Sequence, residues 1–548
     1  MTGLRWRFGP LFLTAALACG AFFQPAASAD DQTDICLKNG ILLRARIDTR
    51  DGKFFVYVPG KDTATDMTGL IHSVGVPEDP VCKTGAANGE QTAEFGIRGS
   101  NTIGERLMPM LIEAYAVKTF GAPPVSKNLE PEHLTIELRK PKDSKPAAII
   151  DFRSAGSGTA PPALKAHEIE IGMMSRRIKP EEAADILAAQ SVDPREPGSE
   201  HVVALDGLAV IVNANNPVTK LTLTQIAQIF AGEITNWRDV KGRNKNNQEV
   251  TGPDLPIRVH ARDNKSGTYD TFKSVVLERE EPKLKISPAA SRYESSEELS
   301  AAVSKDLGAI GFIGFPYINK NVALRIQSTC GLDSEPNNFS VKLESYPLAR
   351  RLYLYTLGTP NSGAVKNLLD YALSDEAQKT VVEAGFIDQT VENQMQEAQQ
   401  RFVQRFETQS AFALPAGKIV PPQMGQQFAK SVSGMHRTSI VFRFQRNESV
   451  LDTLARQNVG RLGRYLARPG QTPHKVLLIG FADSDGGWDS NLALANARAR
   501  SVVQELQSLG LHLPAIQTSS LSYMAPVACN DTDGGRALNR RVEVWIAN

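Results

Sequence analysis

Between residues 94 and 386 short apolar runs alternate with stretches of helical apolar spacing, and this alternation constrains the fold more than any other feature of the chain. A strand candidate at 95–97 leads into a helix over about 102–118. Ala148-Ile149-Ile150-Asp151-Phe152 precedes a glycine-rich turn, and 202–212 is apolar enough for a buried strand. A short helix falls within 221–230, and strands at 257–260 and 307–315 return to the core. Such alternation predicts an α/β pair, because each strand's apolar faces must be covered by helices. With 548 residues there is room for three or four domains.

The flanking segments read differently. Residues 1–29 have the form of a secretory signal: Arg5 and Arg7, an apolar run over 11–23, then Ala27-Ser28-Ala29 before Asp30. A lipoprotein anchored through Cys19 is the rival reading, with a poor lipobox in Ala16-Leu17-Ala18. No later segment reaches membrane-spanning length, so a soluble exported protein is expected. Residues 30–88 carry short apolar runs at 41–43, 54–58 and 70–71, separated by Asn39-Gly40 and Asp51-Gly52, which predicts a small β domain. Cys36 and Cys82 bracket it and form the disulfide candidate, while Cys330 and Cys529 are either free or bridge two domains. Residues 387–435 are Gln-rich, then irregular around Pro421 and Pro422, and read as a helical and irregular linker setting the reach of what it joins. The last piece, 437–548, reads strand, helix, strand, helix, strand, strand, with helices over about 450–466 and 491–509.

Composition removes several function classes. A net charge of +1 offers no single-sign field for nucleic acid. No CxxC pair, P-loop, GxSxG elbow or HExxH pair is present, so neither a metal, a cofactor nor a catalytic residue is called for. Asp483 and Asp485 sit in a glycine-rich turn and read as turn formers.

Three small-residue loops stand just before helix starts. They are Arg98-Gly99-Ser100-Asn101-Thr102-Ile103-Gly104-Glu105, Ser154-Ala155-Gly156-Ser157-Gly158-Thr159, and Arg262-Asp263-Asn264-Lys265-Ser266-Gly267-Thr268. Thr102 and Glu105 have capping-box spacing. Such loops turn backbone N–H groups outward at the positive end of a helix dipole, which favours an oxyanion. Ser and Thr hydroxyls add donors, and Arg262 can supply two parallel charge-assisted bonds. A single loop of this kind is ordinarily just a helix cap; three in one α/β pair point further.

Residues 94–386 resemble the periplasmic phosphate-binding proteins of high-affinity phosphate ABC transporters, a PstS-like family of type II periplasmic binding proteins. The likeness rests on Gly99-Ser100-Asn101-Thr102-Ile103, on Ser157, on Ile171-Gly172-Met173-Met174-Ser175-Arg176-Arg177, on Arg262 with Ser266-Gly267-Thr268, and on Phe230-Ala231-Gly232-Glu233-Ile234-Thr235-Asn236-Trp237. It implies a two-lobed periplasmic-binding-protein fold that closes on phosphate or a similar oxyanion. Thr102, Ile103, Ser157, Ser175, Arg262, Ser266, Gly267 and Thr268 would line the cleft, and an ABC permease would be a further partner. Many members carry an aspartate where this chain has Ser175. That carboxylate accepts a ligand proton, so its absence weakens the case for selecting phosphate over sulfate. Asp263 is expected to orient Arg262.

In the last piece Asp483 ends an apolar strand, and Asn491, Leu494, Arg498 and Ala499 follow on an amphipathic helix. A carboxylate and a guanidinium held close form either an internal salt bridge or a grip for a zwitterion. The segment closes with Gly535-Arg536-Ala537-Leu538-Asn539-Arg540-Arg541-Val542. These motifs resemble the OmpA-like peptidoglycan-binding domain, an α+β fold. By that likeness Asp483 and Arg498 bind the diaminopimelate of the peptidoglycan stem peptide, with Asn491 in support. Phe481, Ala482 and Ala495 replace the family's His, Thr and Ser at loop and packing positions. Arg540 and Arg541 are expected to be structural or surface residues.

The expected molecule is therefore an α/β multidomain protein of the periplasm, associated with peptidoglycan or the outer membrane. It binds phosphate and is held non-covalently at the wall. The alternative is a wall-bound sensor or scaffold whose clamp serves protein contacts. Ser266 with Arg262 lacks a general base, which disfavours an enzyme.

Overall fold

The computed structural model describes strand segments between residues 33 and 74, and residues 92–547 apart from 131, 265, 279, 281, 361, 408–416, 469–472, 474 and 512. The signal segment and Cys82 lie outside the described residues, as does the side chain of Cys36, so the Cys36–Cys82 pairing falls outside them too. The chain divides into two compact units, Met1–Glu90 and Gln91–Asn548. Among the described residues no helix is long and apolar enough to cross a membrane.

The first unit contains one antiparallel sheet, in the order Ala64–Asp66, Lys53–Tyr57, Leu42–Arg50, Thr33–Leu37, Ile71–Val74. Ile35 and Val56 are buried in it, as expected where apolar residues face one side of a pleated sheet.

The second unit is built on a long curled sheet. Its first half is centred on Ala93–Gly99, which pairs in parallel with Ala148–Arg153 and Ile171–Met174. Helices Met108–Phe120 and Gly363–Ala372 bury Leu111, Ile112, Leu368 and Leu369 against it. The second half holds Ser291–Tyr293, Arg258–Arg262 and Ala309–Gly314. There Phe272 stacks on Phe312, with ring centroids 4.1 Å apart and Phe230 beside them. The strand Glu200–Val212 joins the halves. Residues 200–207 pair with Ala349–Tyr355, and 208–212 then pair with Ala309–Gly314. This change of partner between Gly207 and Leu208 makes Glu200–Val212 the strand continuous between the two halves, with Ala349–Tyr355 lying between it and Ile171–Met174.

The C-terminal part is a four-stranded sheet in the order His436–Arg443, Arg541–Ala547, Lys475–Phe481, Ile516–Ser520. It is covered by helices Thr453–Leu466 and Trp488–Ser508. A helix not expected from sequence, Asp533–Asn539, precedes the last strand; Thr532 caps it by accepting from Gly535 N at 3.1 Å. The paired glycines Gly534 and Gly535 hid it, because glycine weakens helix propensity while the cap restores it.

The expected helical and irregular linker contains the helices Gln396–Glu407 and Met424–Ser431, and both are packed. Helix Gln396–Glu407 buries Phe402 against Phe428 and Trp545, with centroids 6.4 Å apart in both cases. Arg437 lies 4.2 Å over the Phe402 ring. Aromatic burial of this size fixes a segment that composition alone reads as a spacer.

The C-terminal domain also meets both lobes. Cys330 of the second lobe is disulfide-bonded to Cys529, resolving the two open readings of those cysteines. On strand Ala349–Tyr355, Arg351 pairs with Asp452 at 3.0 Å. On the first lobe Asp375 takes both Nε and Nη2 of Arg464, at 3.0 and 2.8 Å.

Candidate functional site

The cleft is built by loops that end strands of the two lobes. Strand Ala93–Gly99 stops at Gly99, whose φ is 143°. A Cβ there would stand 2.0 Å from Met173 O, so glycine alone permits the close approach. Ser100 N then donates to Met173 O at 2.8 Å, and Gly156 N donates to Gly99 O at 2.8 Å, tying the first two loops together. Ile103 is fully buried in the first-lobe core. Ser157 and Ser175 face each other with hydroxyls 3.2 Å apart, and Ser175 N donates to Ser157 Oγ at 3.1 Å. In the third loop Ser266 caps helix Gly267–Phe272 by accepting from Thr268 N at 3.2 Å.

Thr102 does not form the expected capping box. Its backbone is already helical and its hydroxyl makes no cap bond. Instead Thr102 Oγ1 accepts from Arg350 Nη2 at 3.1 Å. An extended cap conformation is what lets a hydroxyl reach back to its own helix; a helical one turns it outward.

Arg350, which the sequence reading missed, is where the loops meet. It lies on strand Ala349–Tyr355, directly opposite Asp206 in the cross-strand register. Its Nε donates to Asp206 Oδ2 at 3.0 Å, Nη2 to Gly267 O at 3.0 Å, and Nη1 to Ser175 O at 3.4 Å. Thr102 and Ser175 belong to the first lobe, and Gly267 to the second. A Cβ on Gly267 would fall 1.5 Å from Thr102 Oγ1, so the two lobes touch at this point. No motif surrounds Arg350, and only its charge inside an apolar strand could have signalled it.

Arg262 sits apart from this cluster. Its guanidinium donates to Tyr293 O at 3.3 Å, Glu294 O at 2.7 Å and Ser296 Oγ at 2.6 Å. Asp263 stands 3.9 Å from it. Glu105 faces it across the cleft; burial raises that carboxyl's pKa, and Arg262 opposes the rise. The neighbouring Arg176 and Arg177 are engaged by Glu182 at 2.7 Å and Glu200 at 2.8 Å. Asp270, on the helix after Gly267, is also pushed up by burial, with Arg350 opposing.

The second site lies between strand Lys475–Phe481 and helix Trp488–Ser508. Gly480 allows their contact, since a Cβ would come 2.0 Å from Ala495 O. Asn491 Nδ2 donates to Asp483 O at 3.3 Å and Asp485 O at 2.6 Å, fixing the loop. Arg498, near the middle of the helix, has no exposed surface. Its Nε donates to Glu448 O at 3.0 Å and its Nη2 to Gln445 O at 3.1 Å. Phe444 covers the guanidinium, its ring centroid 5.4 Å away. Nη1 meets no hydrogen-bond partner among the described residues. Burial lowers this guanidinium's pKa to about 10, and Arg540 adds to the effect.

Asp483 and Arg498 do not form the salt bridge that one reading of the sequence allowed. Asp483 Oδ2 accepts from Arg540 Nη1 at 2.7 Å, and its Oδ1 accepts from Asp485 N at 2.9 Å. Arg540 and Arg541 are buried structural residues and not surface ones. Arg541 pairs with Glu543 at 2.7 Å beneath the face of Phe481. A cavity of about 390 Å³ lies between strand Ala349–Tyr355 and the C-terminal domain, with Arg350 in one wall and Arg540 in another.

The comparisons with known proteins agree with this architecture. Residues 131–376 match the family described as PBP superfamily domain, and residues 443–540 match the OmpA family. The protein SphX of Synechococcus elongatus is 33% identical over 233 residues, spanning 40% of this chain and 63% of SphX. The phosphate-binding protein PstS of Bacillus subtilis is 30% identical over 251 residues, 45% of this chain and 74% of that protein. A crystal structure of an ABC-type phosphate transport receptor from Vibrio cholerae is 24% identical, covering 54% of this chain and 99% of the receptor, with a TM-score of 0.39. The chain belongs to the PstS family of phosphate-binding proteins and carries, in addition, a C-terminal OmpA-family domain.

Proposed function

We propose that this protein captures phosphate, or a similar oxyanion, between its two lobes in the periplasm while its C-terminal domain holds it non-covalently to peptidoglycan. One observation carries the first half. Thr102 of the first loop, Gly267 of the third and Ser175, which bonds Ser157 of the second, all converge on Arg350. Hydroxyls of Ser157, Ser175, Thr102 and Thr268, with the N–H groups of Ile103 and Gly267, supply the many donors that a dehydrated oxyanion requires. Arg262 and Ser266 complete the proposed set, with Arg262 turning from its corner at 293–296 when the ligand enters. The wall half rests on Arg498, whose buried Nη1 is suited to the carboxylate of diaminopimelate. Asp483 and Asn491 shape the adjoining wall and meet the ligand's ammonium. The Bacillus subtilis relative is a phosphate-binding protein, and among the described residues no group in either site has the nucleophile and base of an enzyme.

Isothermal titration of the full chain with phosphate and then sulfate tests the clamp. Phosphate binding weakened roughly 10- to 100-fold by Arg262→Ala is the expected result. Silence with both anions sinks the receptor reading. Co-sedimentation with purified sacculi tests the wall half.

A second reading, a wall-bound sensor, is favoured by the contacts of the C-terminal domain with both lobes. If clamp closure strains those contacts, phosphate changes sacculus affinity, and sacculi change phosphate affinity by the same factor. Equal sacculus affinity with and without phosphate would leave the plain tethered receptor.

A further inference from the structure

The geometry points to Arg350 as the positioning residue of the anion cleft: it holds the two lobes in their closed register and commits the Thr102 hydroxyl to donate to the bound oxyanion. This rests on the phosphate reading above and deepens it.

The argument is one of hydrogen-bond bookkeeping. A hydroxyl has one proton and two lone pairs. Thr102 Oγ1 already accepts from Arg350 Nη2 at 3.1 Å, and its helical backbone removes the usual cap partner. Its own proton therefore has the cleft to turn to, where an oxyanion oxygen is the acceptor. The bond from Arg350 uses one of the two lone pairs and polarises the hydroxyl, which favours donation to an anionic oxygen over acceptance from a protonated one. With Ser175 in place of a carboxylate, this fixed donor makes the cleft a reader of charge more than of ligand protons.

The same guanidinium measures closure. Thr102 and Ser175 belong to one lobe and Gly267 to the other, while Arg350 stands beside Asp206 on the strand paired with Glu200–Val212, which runs between the halves. Its Nη2 satisfies Gly267 O and Thr102 Oγ1 together only when the lobes meet as they do here. Asp206, at the same cross-strand position, fixes the guanidinium plane through Nε at 3.0 Å and Nη2 at 2.9 Å. Both nitrogens meet the one oxygen, Oδ2, so the carboxylate anchors the guanidinium by a charge-assisted contact on that edge. The side chain is only 11% exposed, so its field acts on the cleft with little screening.

The test is a double-mutant cycle on the full chain, titrated with phosphate and sulfate from pH 6 to pH 8. The variants are Arg350→Met, Arg350→Lys, Thr102→Val and Thr102→Val with Arg350→Met. Arg350→Met is expected to weaken both anions roughly 10- to 100-fold, with Arg350→Lys restoring part of the loss. Because Arg350 acts through Thr102, the double variant should lose clearly less than the product of the two single losses. Thr102→Val leaves the Asp206 pair intact, and keeps the proposal testable if Arg350→Met folds poorly. Thr102→Val binding both anions like the parent overturns the inference, as do multiplicative losses or an unchanged Arg350→Met. Those outcomes occur in a chain whose parent binds phosphate, so the receptor reading survives them. A parent that binds neither anion takes down both.

Discussion

The two candidate sites are each built around an arginine, and they hold it in opposite ways. In the cleft the guanidinium of Arg350 is engaged by a carboxylate, two carbonyls and a hydroxyl drawn from separate lobes. In the C-terminal domain Arg498 is wholly buried on one helix, with Nη1 unpartnered among the described residues. The first arrangement can be made and unmade by a hinge, since each contact has water as an alternative when the lobes part. The second is fixed by one strand–helix packing, and its desolvation cost is set before any ligand arrives. The proposed switchable capture and constant attachment would call for these two designs respectively.

The largest effect should come from the preset site. Arg498→Met is expected to weaken sacculus co-sedimentation by roughly 2–5 kcal/mol, thirtyfold or more, and to leave phosphate titration unchanged. A parallel loss of phosphate binding would show that the sites are not separable. Next comes the bond that joins them. Cys330→Ser with Cys529→Ser opens a cross-link spanning 199 residues and should lower unfolding free energy by about 2–4 kcal/mol, read by denaturant titration. If the sensor reading holds, the same variant also uncouples phosphate from sacculus affinity.

Gly267→Ala probes the contact between lobes. Its methyl would collide with Thr102, so phosphate affinity should drop about tenfold while sacculus binding stays as it was. Unchanged phosphate affinity would mean that the lobes do not close at this point. The smallest effect belongs to Arg464 and Asp375. The hydrogen bond from Arg464 holds the Asp375 carboxyl below its ordinary value. A depressed carboxylate contributes stability that is present above the unfolded pKa, 3.8, and is lost as pH falls through the folded one. Both side chains are about half exposed, so Arg464→Ala should cost less than about 1 kcal/mol at pH 7, and nothing once Asp375 is protonated. A larger effect would make this contact a working brace on the first lobe.

Much of the fold was legible because its signals are local. The apolar run at 202–212 became the strand Glu200–Val212, and the small-residue loops ended strands as expected. The roles of particular side chains were less legible. Thr102 carried capping-box spacing, yet its backbone entered the helix one step early and freed its hydroxyl for Arg350. Asp483 and Arg498 had the spacing of a salt bridge, but Arg540 took the carboxylate and two backbone carbonyls took the guanidinium. Phe402 turned a Gln-rich spacer into part of a core, because one buried aromatic outweighs the polar residues around it.

By itself the sequence determined what neighbours along the chain can determine: strand and helix order, which loops expose N–H groups, and that Asp483, Asn491 and Arg498 share one strand–helix unit. Tertiary structure alone decided that Arg350 meets Thr102 across 248 residues, that Cys330 bonds Cys529, and that Asp483 prefers Arg540. The reason is physical. Local geometry fixes partners a few residues apart, whereas long-range partners of equal chemistry are distinguished only by which surfaces bury together when the lobes and the C-terminal sheet pack.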